Sequence, residues 1–209
     1  MFAITMNHKT GLLAAVCVLS LSWAAQGDIL EFDATLSGAN EANPNQSPGT
    51  GTAAVFLDTI LQTLNVNVTF SGLTTPNTAS HIHAATTTPG SGTAGVATSV
   101  PTFTGFPGGV TSGTYSHTFD LTDLSSYNPA FVTANGGTAS SAEAALVSAL
   151  MAGTSYLNIH TDRFGGGEIR GFLTQNVPDN AATAGLFALG MLGTIGLSRK
   201  QCLQLIRRS

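Results

Sequence analysis

From residue 64 to residue 70 the chain reads Leu-Asn-Val-Asn-Val-Thr-Phe, a strict alternation of apolar and polar side chains. Because successive side chains of a β-strand point to opposite faces, this alternation predicts a strand with one buried and one exposed face. Similar short runs, separated by clusters of Gly, Pro, Asn and Thr, lie at residues 29–36, 52–57, 79–84, 115–121, 156–161 and 168–174. About seven such runs predict an all-β fold, an antiparallel β-sandwich.

One segment interrupts the β pattern. The chain reads Ser-Ser-Ala-Glu at residues 140–143, a run rich in Ala and Leu follows, and Gly153 comes after that run. A Ser followed three residues later by Glu is typical of a capping box at a helix start, and Gly commonly follows a helix end. These signals predict one short helix over residues 141–152.

Three short segments carry most of the polar side chains that chemistry could use. They read His81-Ile82-His83, Asn158-Ile159-His160 and Glu168-Ile169-Arg170. In each segment the central isoleucine is expected in the core, so the flanking polar residues share the opposite face. Residues 162–166 join Thr161, which follows the second segment, to Gly167, which precedes the third, and this length is typical of a β-hairpin. Pairing across this hairpin predicts His160 opposite Glu168 and Asn158 opposite Arg170.

This polar patch supports two interpretations. In the first, its side chains form a structural lattice of hydrogen bonds and ion pairs between neighbouring strands, each cross-strand pair contributing roughly 0.2 to 1 kcal/mol. In the second, His81, His83 and His160 bind copper or zinc, and Glu168 is a further ligand or the partner of a ligating imidazole. The sequence favours the structural lattice, in which Asn158 and Arg170 also take part. It indicates no catalytic residue and no bound cofactor.

The N-terminal end of the chain is typical of an exported protein. Lys9 precedes an apolar run over residues 12–23, and small residues stand at Ala25 and Gly27, the spacing that a signal peptidase reads. Residues 1–27 are therefore predicted to be a signal peptide.

The C-terminal end, residues 177–209, has the features of a sorting signal. Val-Pro-Asp at residues 177–179 precedes an apolar run over residues 181–197, and the basic pair Arg199 and Lys200 follows. An apolar run of this length with a basic stop behind it can span a membrane. This end resembles a PEP-CTERM sorting signal of the Val-Pro-Asp variant. The resemblance implies a bacterial protein that is held in the membrane until an exosortase-like enzyme cuts the segment; a permanent anchor is the alternative.

Residues 28–176, between these two ends, are predicted to form one domain. They contain ten acidic and two basic residues, a net charge of −8 with neutral histidines. Such a surface repels phosphate groups, so nucleic acid is excluded as a partner. Both cysteines, Cys17 and Cys202, lie outside this domain. Its stability must therefore come from its core and not from disulfides.

The domain carries several motifs in a fixed order. They read Leu-Ser-Gly-Ala-Asn-Glu at 36–41, Gly-Thr-Gly at 49–51, Phe-Ser-Gly-Leu at 70–73, His-Ile-His at 81–83, Tyr-Leu-Asn-Ile-His-Thr at 156–161 and Gly-Glu-Ile-Arg-Gly at 167–171. In this order the motifs resemble the CHRD domain, named after chordin, over about residues 32–173. The resemblance implies a β-sandwich found in exported proteins, with no established enzymatic activity.

The His-x-His motif on a sandwich strand is also similar to copper-zinc superoxide dismutase, in motif and in immunoglobulin-like architecture only. That enzyme type needs more histidines, an aspartate and a disulfide, so dismutase activity is not expected. We expect an exported, non-catalytic structural or binding module of the bacterial cell surface or extracellular matrix, with an extracellular glycan or protein as partner. The alternative function is that of a metal-binding domain that uses the His-x-His pair and His160.

Overall fold

The computed structural model describes residues 29–177. The predicted signal peptide, and the predicted sorting segment beyond Val177, lie outside these residues. Within the described part no helix is long and apolar enough to cross a membrane. The strands are β1 Ile29–Ser37, β2 Thr50–Asp58, β3 Thr63–Ser71, β4 Asn77–His83, β5 Gly113–Asp120, β6 Tyr156–Thr161, β7 Ile169–Phe172 and β8 Thr174–Gln175. The helices are α1 Pro129–Ala134 and α2 Ala139–Met151, with 3-10 turns at Gly38–Asn40 and Leu124–Ser126.

All eight strands of residues 29–177 belong to one antiparallel sheet with the order β4-β6-β7-β1-β2-β3-β5, and β8 pairs with β1. The sheet curls into a half-barrel. The predicted antiparallel all-β architecture, with about seven strands and a short helix, is thus confirmed. The strands of the expected sandwich all lie in this one curled sheet.

The alternation that predicted β3 also determines which face of the sheet is buried. In the register of β2 with β3, Val55 faces Val66 and Leu57 faces Leu64, and all four side chains are fully buried. Burying a side chain of this size contributes roughly 1.5 to 3 kcal/mol. Helix α2 adds Leu146 to the same core. We call this apolar side the inner face and the opposite side the outer face.

The predicted helix exists, but its start was placed two residues too late. Helix α2 begins at Ala139, because Thr138 is its N-cap and Ser141 is the reciprocal partner in the capping box. Glu143 instead accepts a hydrogen bond from the side chain of Gln62. The six-residue helix α1 was not predicted, although Asn128 caps it and Pro129 starts it, an arrangement that favours a helix N-terminus.

The long connection between β4 and β5 runs along the free edge of β4. The backbone N–H of Phe103 donates to the carbonyl of Ser80, and the N–H of Gly109 donates to the carbonyl of Asn77. This pairing satisfies backbone groups that an edge strand would otherwise expose. It also places residues of the connection beside the outer face of β4, where the histidines lie.

Candidate metal centre on the outer face

Strands β4 and β6 are neighbours, and this pairing brings three histidines together. The register sets His81 opposite Asn158, so His160 lies diagonally across from His81 on the same outer face. The ring centroids of His81 and His160 are 5.4 Å apart, and those of His83 and His160 are 5.8 Å apart. One ring nitrogen from each of the three residues lies within 4.8 Å of the others. We call His81, His83 and His160 the histidine cluster.

Each ring of the histidine cluster is fixed by one hydrogen bond to a backbone carbonyl. His81 Nε2 bonds to the carbonyl of Pro101 at 2.7 Å, His83 Nδ1 to that of Ala94 at 2.9 Å, and His160 Nδ1 to that of Gly165 at 3.1 Å. A carbonyl can only accept, so the bonded nitrogen must carry the proton. The tautomer of each ring is thereby set, and its second nitrogen presents a free lone pair.

The second nitrogens are buried and have no hydrogen-bond partner among the described residues. They are His81 Nδ1, His83 Nε2 and His160 Nε2. Leaving a buried acceptor unsatisfied costs roughly 1 to 3 kcal/mol, so three of them in one place need an explanation. A metal ion supplies one, because ligating histidines commonly donate their other ring N–H to a carbonyl or carboxylate.

The electrostatics keep the histidine cluster neutral, as metal binding requires. Burial lowers the pKa of His81 and of His160 below the ordinary value of 6.5. Burial, with a smaller contribution from neighbouring positive charge, lowers the pKa of His83 to about 4. At neutral pH all three imidazoles are therefore neutral, and the nitrogen that carries no proton can donate a lone pair to a metal ion.

The spacing of the histidine cluster suits a single ion after a small contraction. With mutual separations of at most 4.8 Å, a point exists no more than ~2.8 Å from each of the three nitrogens. Zinc binds imidazole nitrogen at ~2.0–2.1 Å, which is less than ~1 Å shorter than that distance. Three imidazoles leave a further coordination position open for water or another ligand.

Tyr156 packs against the ring of His83, and Arg170 packs against Tyr156. The Tyr156 ring is stacked on the His83 ring at 4.8 Å with an interplanar angle of 4°, and the Arg170 guanidinium lies 4.8 Å from the Tyr156 centroid. The Tyr156 hydroxyl also contacts Ala94, the residue whose carbonyl holds His83. This packing restricts the orientation of the His83 ring.

The structure does not bring Glu168 into the histidine cluster, and its predicted role as a ligand needs correction. Its carboxylate accepts hydrogen bonds from Ser47 Oγ at 2.5 Å, the backbone N–H of Thr74 at 2.6 Å and Thr161 Oγ1 at 2.7 Å. Strand β7 begins only at Ile169, and Gly167 before it has a φ of +126°. The chain therefore bends at Glu168. Because this residue lies outside the strand, its side chain does not have to share a face with that of Arg170.

The predicted lattice between strands is also different from the one observed. Asn158 does face Arg170 in the register, as predicted. However, Arg170 donates to the loop carbonyls of Asn40 at 2.5 Å and Gly92 at 3.0 Å, and its Nε lies 3.8 Å from Glu41 Oε2. The polar residues are thus held by loops and not by one another across the strands.

Sequence reasoning missed Glu41, which lies buried beside Arg170. Burial raises the pKa of Glu41 to about 7, although the Arg170 charge opposes that rise. A buried arginine on a sheet face requires a counter-charge, and this requirement could have indicated an acidic partner. Tyr156 was also missed, although it alternates with Asn158 and His160 along β6 and so had to share their face.

Comparison with known proteins agrees with this architecture. Neither the curated proteins nor the solved structures include a match to the chain. The family model described as CHRD domain matches residues 32–173. This range includes all three cluster histidines and strands β1 to β7, except for the first residues of β1. Modules of this family are in general non-catalytic and of the extracellular type. The chain belongs to the CHRD domain family.

Proposed function

We propose that this protein is an exported CHRD module of the bacterial cell surface or extracellular matrix that binds a transition metal ion, copper or zinc, through His81, His83 and His160. One observation carries the metal part of the proposal. Each of the three clustered histidines has one buried ring nitrogen without a partner among the described residues, while the opposite nitrogen of its ring is held by a backbone carbonyl. A lattice of structural hydrogen bonds would leave no such set of free lone pairs.

The donor set narrows the choice of metal. Imidazole suits zinc and copper, whereas calcium and magnesium prefer oxygen ligands. No carboxylate of the described residues joins the histidine cluster, so a hard cation has no ligand there. Among divalent ions, affinity for a nitrogen site generally increases towards copper and falls again at zinc. We therefore expect the histidine cluster to bind copper more tightly than zinc.

Features of the two chain ends support the second part of the proposal, export to the cell surface or extracellular matrix. The N-terminal run with its small residues at 25 and 27, and the Val-Pro-Asp tail, are both typical of exported bacterial proteins. The described domain contains no cysteine, so the oxidising exterior imposes no pairing on it. An extracellular glycan or protein is the proposed partner, and the exosortase-like enzyme is the proposed processing enzyme.

Thermal unfolding with and without metal tests the function. The purified full-length protein is stripped with a chelator, and its melting temperature is measured before and after addition of zinc or copper. A ligand that binds only the folded state raises the melting temperature by mass action. We expect a rise in the wild type and none in His83→Ala or His160→Ala.

The matched control is His117→Ala. His117 lies on β5, between Tyr115 and Phe119, and belongs to no cluster of ligands among the described residues. It should keep the full metal-induced rise. A wild type that does not respond to either metal, or a rise that survives both cluster substitutions, would contradict the proposal.

A further inference from the structure

The outer face carries a second feature, a groove of about 560 Å³ across β1, β2 and β3. We infer that this groove binds a neutral polysaccharide chain. The inference rests on the extracellular location in the proposed function, but not on the metal centre, since the groove lies on different strands from the histidine cluster.

The floor of the groove is a row of hydroxyl groups. The register aligns Thr35 with Thr52 and Thr52 with Thr69, so three threonines from three strands form one line across the sheet. Neighbouring strands are ~4.8 Å apart, which sets the spacing of this row. All three side chains are exposed, and none of their hydroxyl groups bonds to another group of the described residues. Each can both donate and accept a hydrogen bond.

The remaining lining of the groove suits a sugar ring. Asn67 adds a side-chain amide, Ala54 adds a methyl group, and the half-buried ring of Phe172 stands at one side. A pyranose ring presents hydroxyl groups at its edge and apolar C–H groups on its faces. A polar row beside an aromatic ring matches both, since aromatic side chains offer a large apolar surface for packing.

The charge of the groove selects a neutral chain. Asp33 is the one ionisable residue that lines the groove, and no Lys or Arg does. The whole domain carries a net charge of −8 and contains no Lys. Polymers that bear uronate, sulfate or phosphate groups would be repelled. The volume also lies within the range of ~300–1,000 Å³ that is typical of small-ligand sites, enough for a short stretch of a polymer.

Affinity electrophoresis tests this inference. The full-length protein, kept in a polyoxyethylene detergent that contains no sugar, migrates through native gels with dextran, soluble β-glucan, galactomannan or anionic alginate. Chelator is present throughout, so the metal centre cannot contribute. We expect retardation by at least one neutral polymer and none by alginate.

Variants assign the retardation to the groove. Thr52→Val with Thr69→Val removes two hydroxyl groups and keeps a β-branched shape that favours strands. We expect binding to weaken by roughly tenfold or more, on the basis of two lost hydrogen bonds. Thr63→Val is the matched control, because Thr63 lies on the same strand and face as Thr69, ~20 Å away, and outside the groove.

Three results would overturn the inference. They are no retardation by any of the neutral polymers, equal retardation by alginate, and a double variant that binds as well as Thr63→Val. The melting-temperature response to zinc, measured on the same preparation, reports separately on the proposed metal function. Failure of one measurement therefore leaves the other result interpretable.

Discussion

The buried carboxylate of Glu168 offers the sharpest test of how this domain is held together. Its oxygens accept three hydrogen bonds, from Ser47 in one loop, from the Thr74 backbone in another and from Thr161 at the end of β6. The side chain is fully buried. Burial raises the pKa of Glu168, but the three hydrogen bonds outweigh that effect and lower its pKa below the ordinary value. The ionised form is therefore the stabilising one.

The substitution Glu168→Gln keeps the volume and removes the charge. A hydrogen bond to a charged group contributes roughly 1.5 to 3 kcal/mol and one to a neutral group roughly 0.5 to 1.5 kcal/mol, so three weakened bonds predict a loss of ~3 kcal/mol. In addition, the new amide N–H₂ group replaces one of the two carboxylate oxygens. It then faces either Thr161 Oγ1 or the Thr74 N–H, and that N–H cannot accept a hydrogen bond. Glu168→Ala, which leaves buried donors without a partner, should lose more.

Urea unfolding of the metal-free protein measures this loss. Glu31→Gln is the matched control, since the Glu31 side chain makes no hydrogen bond among residues 29–177 and should change stability by less than ~0.5 kcal/mol. Because the folded pKa of Glu168 is lowered, its contribution is present above the unfolded pKa of 4.5 and lost as the pH falls through the folded value. The difference between wild type and Glu168→Gln should accordingly shrink in acid. A loss below ~0.5 kcal/mol at pH 7, or a folded variant that no longer binds zinc, would refute the structural role assigned here.

The remaining predictions concern one glycine, one histidine and the processing of the chain. Gly167→Ala should lower the free energy of unfolding in urea by roughly 2 to 4 kcal/mol. The backbone φ is +126°, and a Cβ would collide with the Asn158 amide and stand 2.8 Å from Glu41 Oε1. An unchanged unfolding midpoint would contradict this packing. Between pH 6.5 and pH 4 the free energy of unfolding of the metal-free wild type should fall by ~3 kcal/mol more than that of His83→Gln. The reason is that His83 takes up a proton in the unfolded chain over this range, whereas in the folded protein its pKa is about 4. Parallel pH profiles of the two proteins would count against the buried neutral ring. Mass spectrometry of the exported protein should find a chain that lacks residues 1–27 and the 181–197 segment, and an intact tail in the extracellular fraction would favour a permanent anchor.

The fold was largely predictable because it depends on periodicity. The alternation in residues 64–70 identifies β3 and its buried face without reference to any partner strand. The parity of residues 81 and 83 likewise places two histidines on one face. The observed β6, Tyr156–Thr161, has the predicted bounds. Local pattern was sufficient for each of these features.

What failed depended on a single backbone angle or on distant loops. The positive φ of Gly167 turns the Glu168 side chain away from its expected face, and periodicity contains no information on that angle. Glu41 reaches Arg170 from a loop 129 residues earlier in the chain, which only the sheet order β7-β1 explains. The carbonyls that fix the three imidazoles also come from loops, so the free nitrogens could not be foreseen.

X-ray absorption spectroscopy of the zinc-loaded full-length protein tests the central claim most directly. A centre built by His81, His83 and His160 predicts a first shell with three imidazole nitrogens at ~2.0–2.1 Å and one further light ligand. The His160→Ala variant should show fewer imidazoles, and His117→Ala should be indistinguishable from wild type. A wild-type shell of water oxygens alone, or one that contains sulfur from Cys17 or Cys202, would contradict the claim that the histidine cluster is a metal centre.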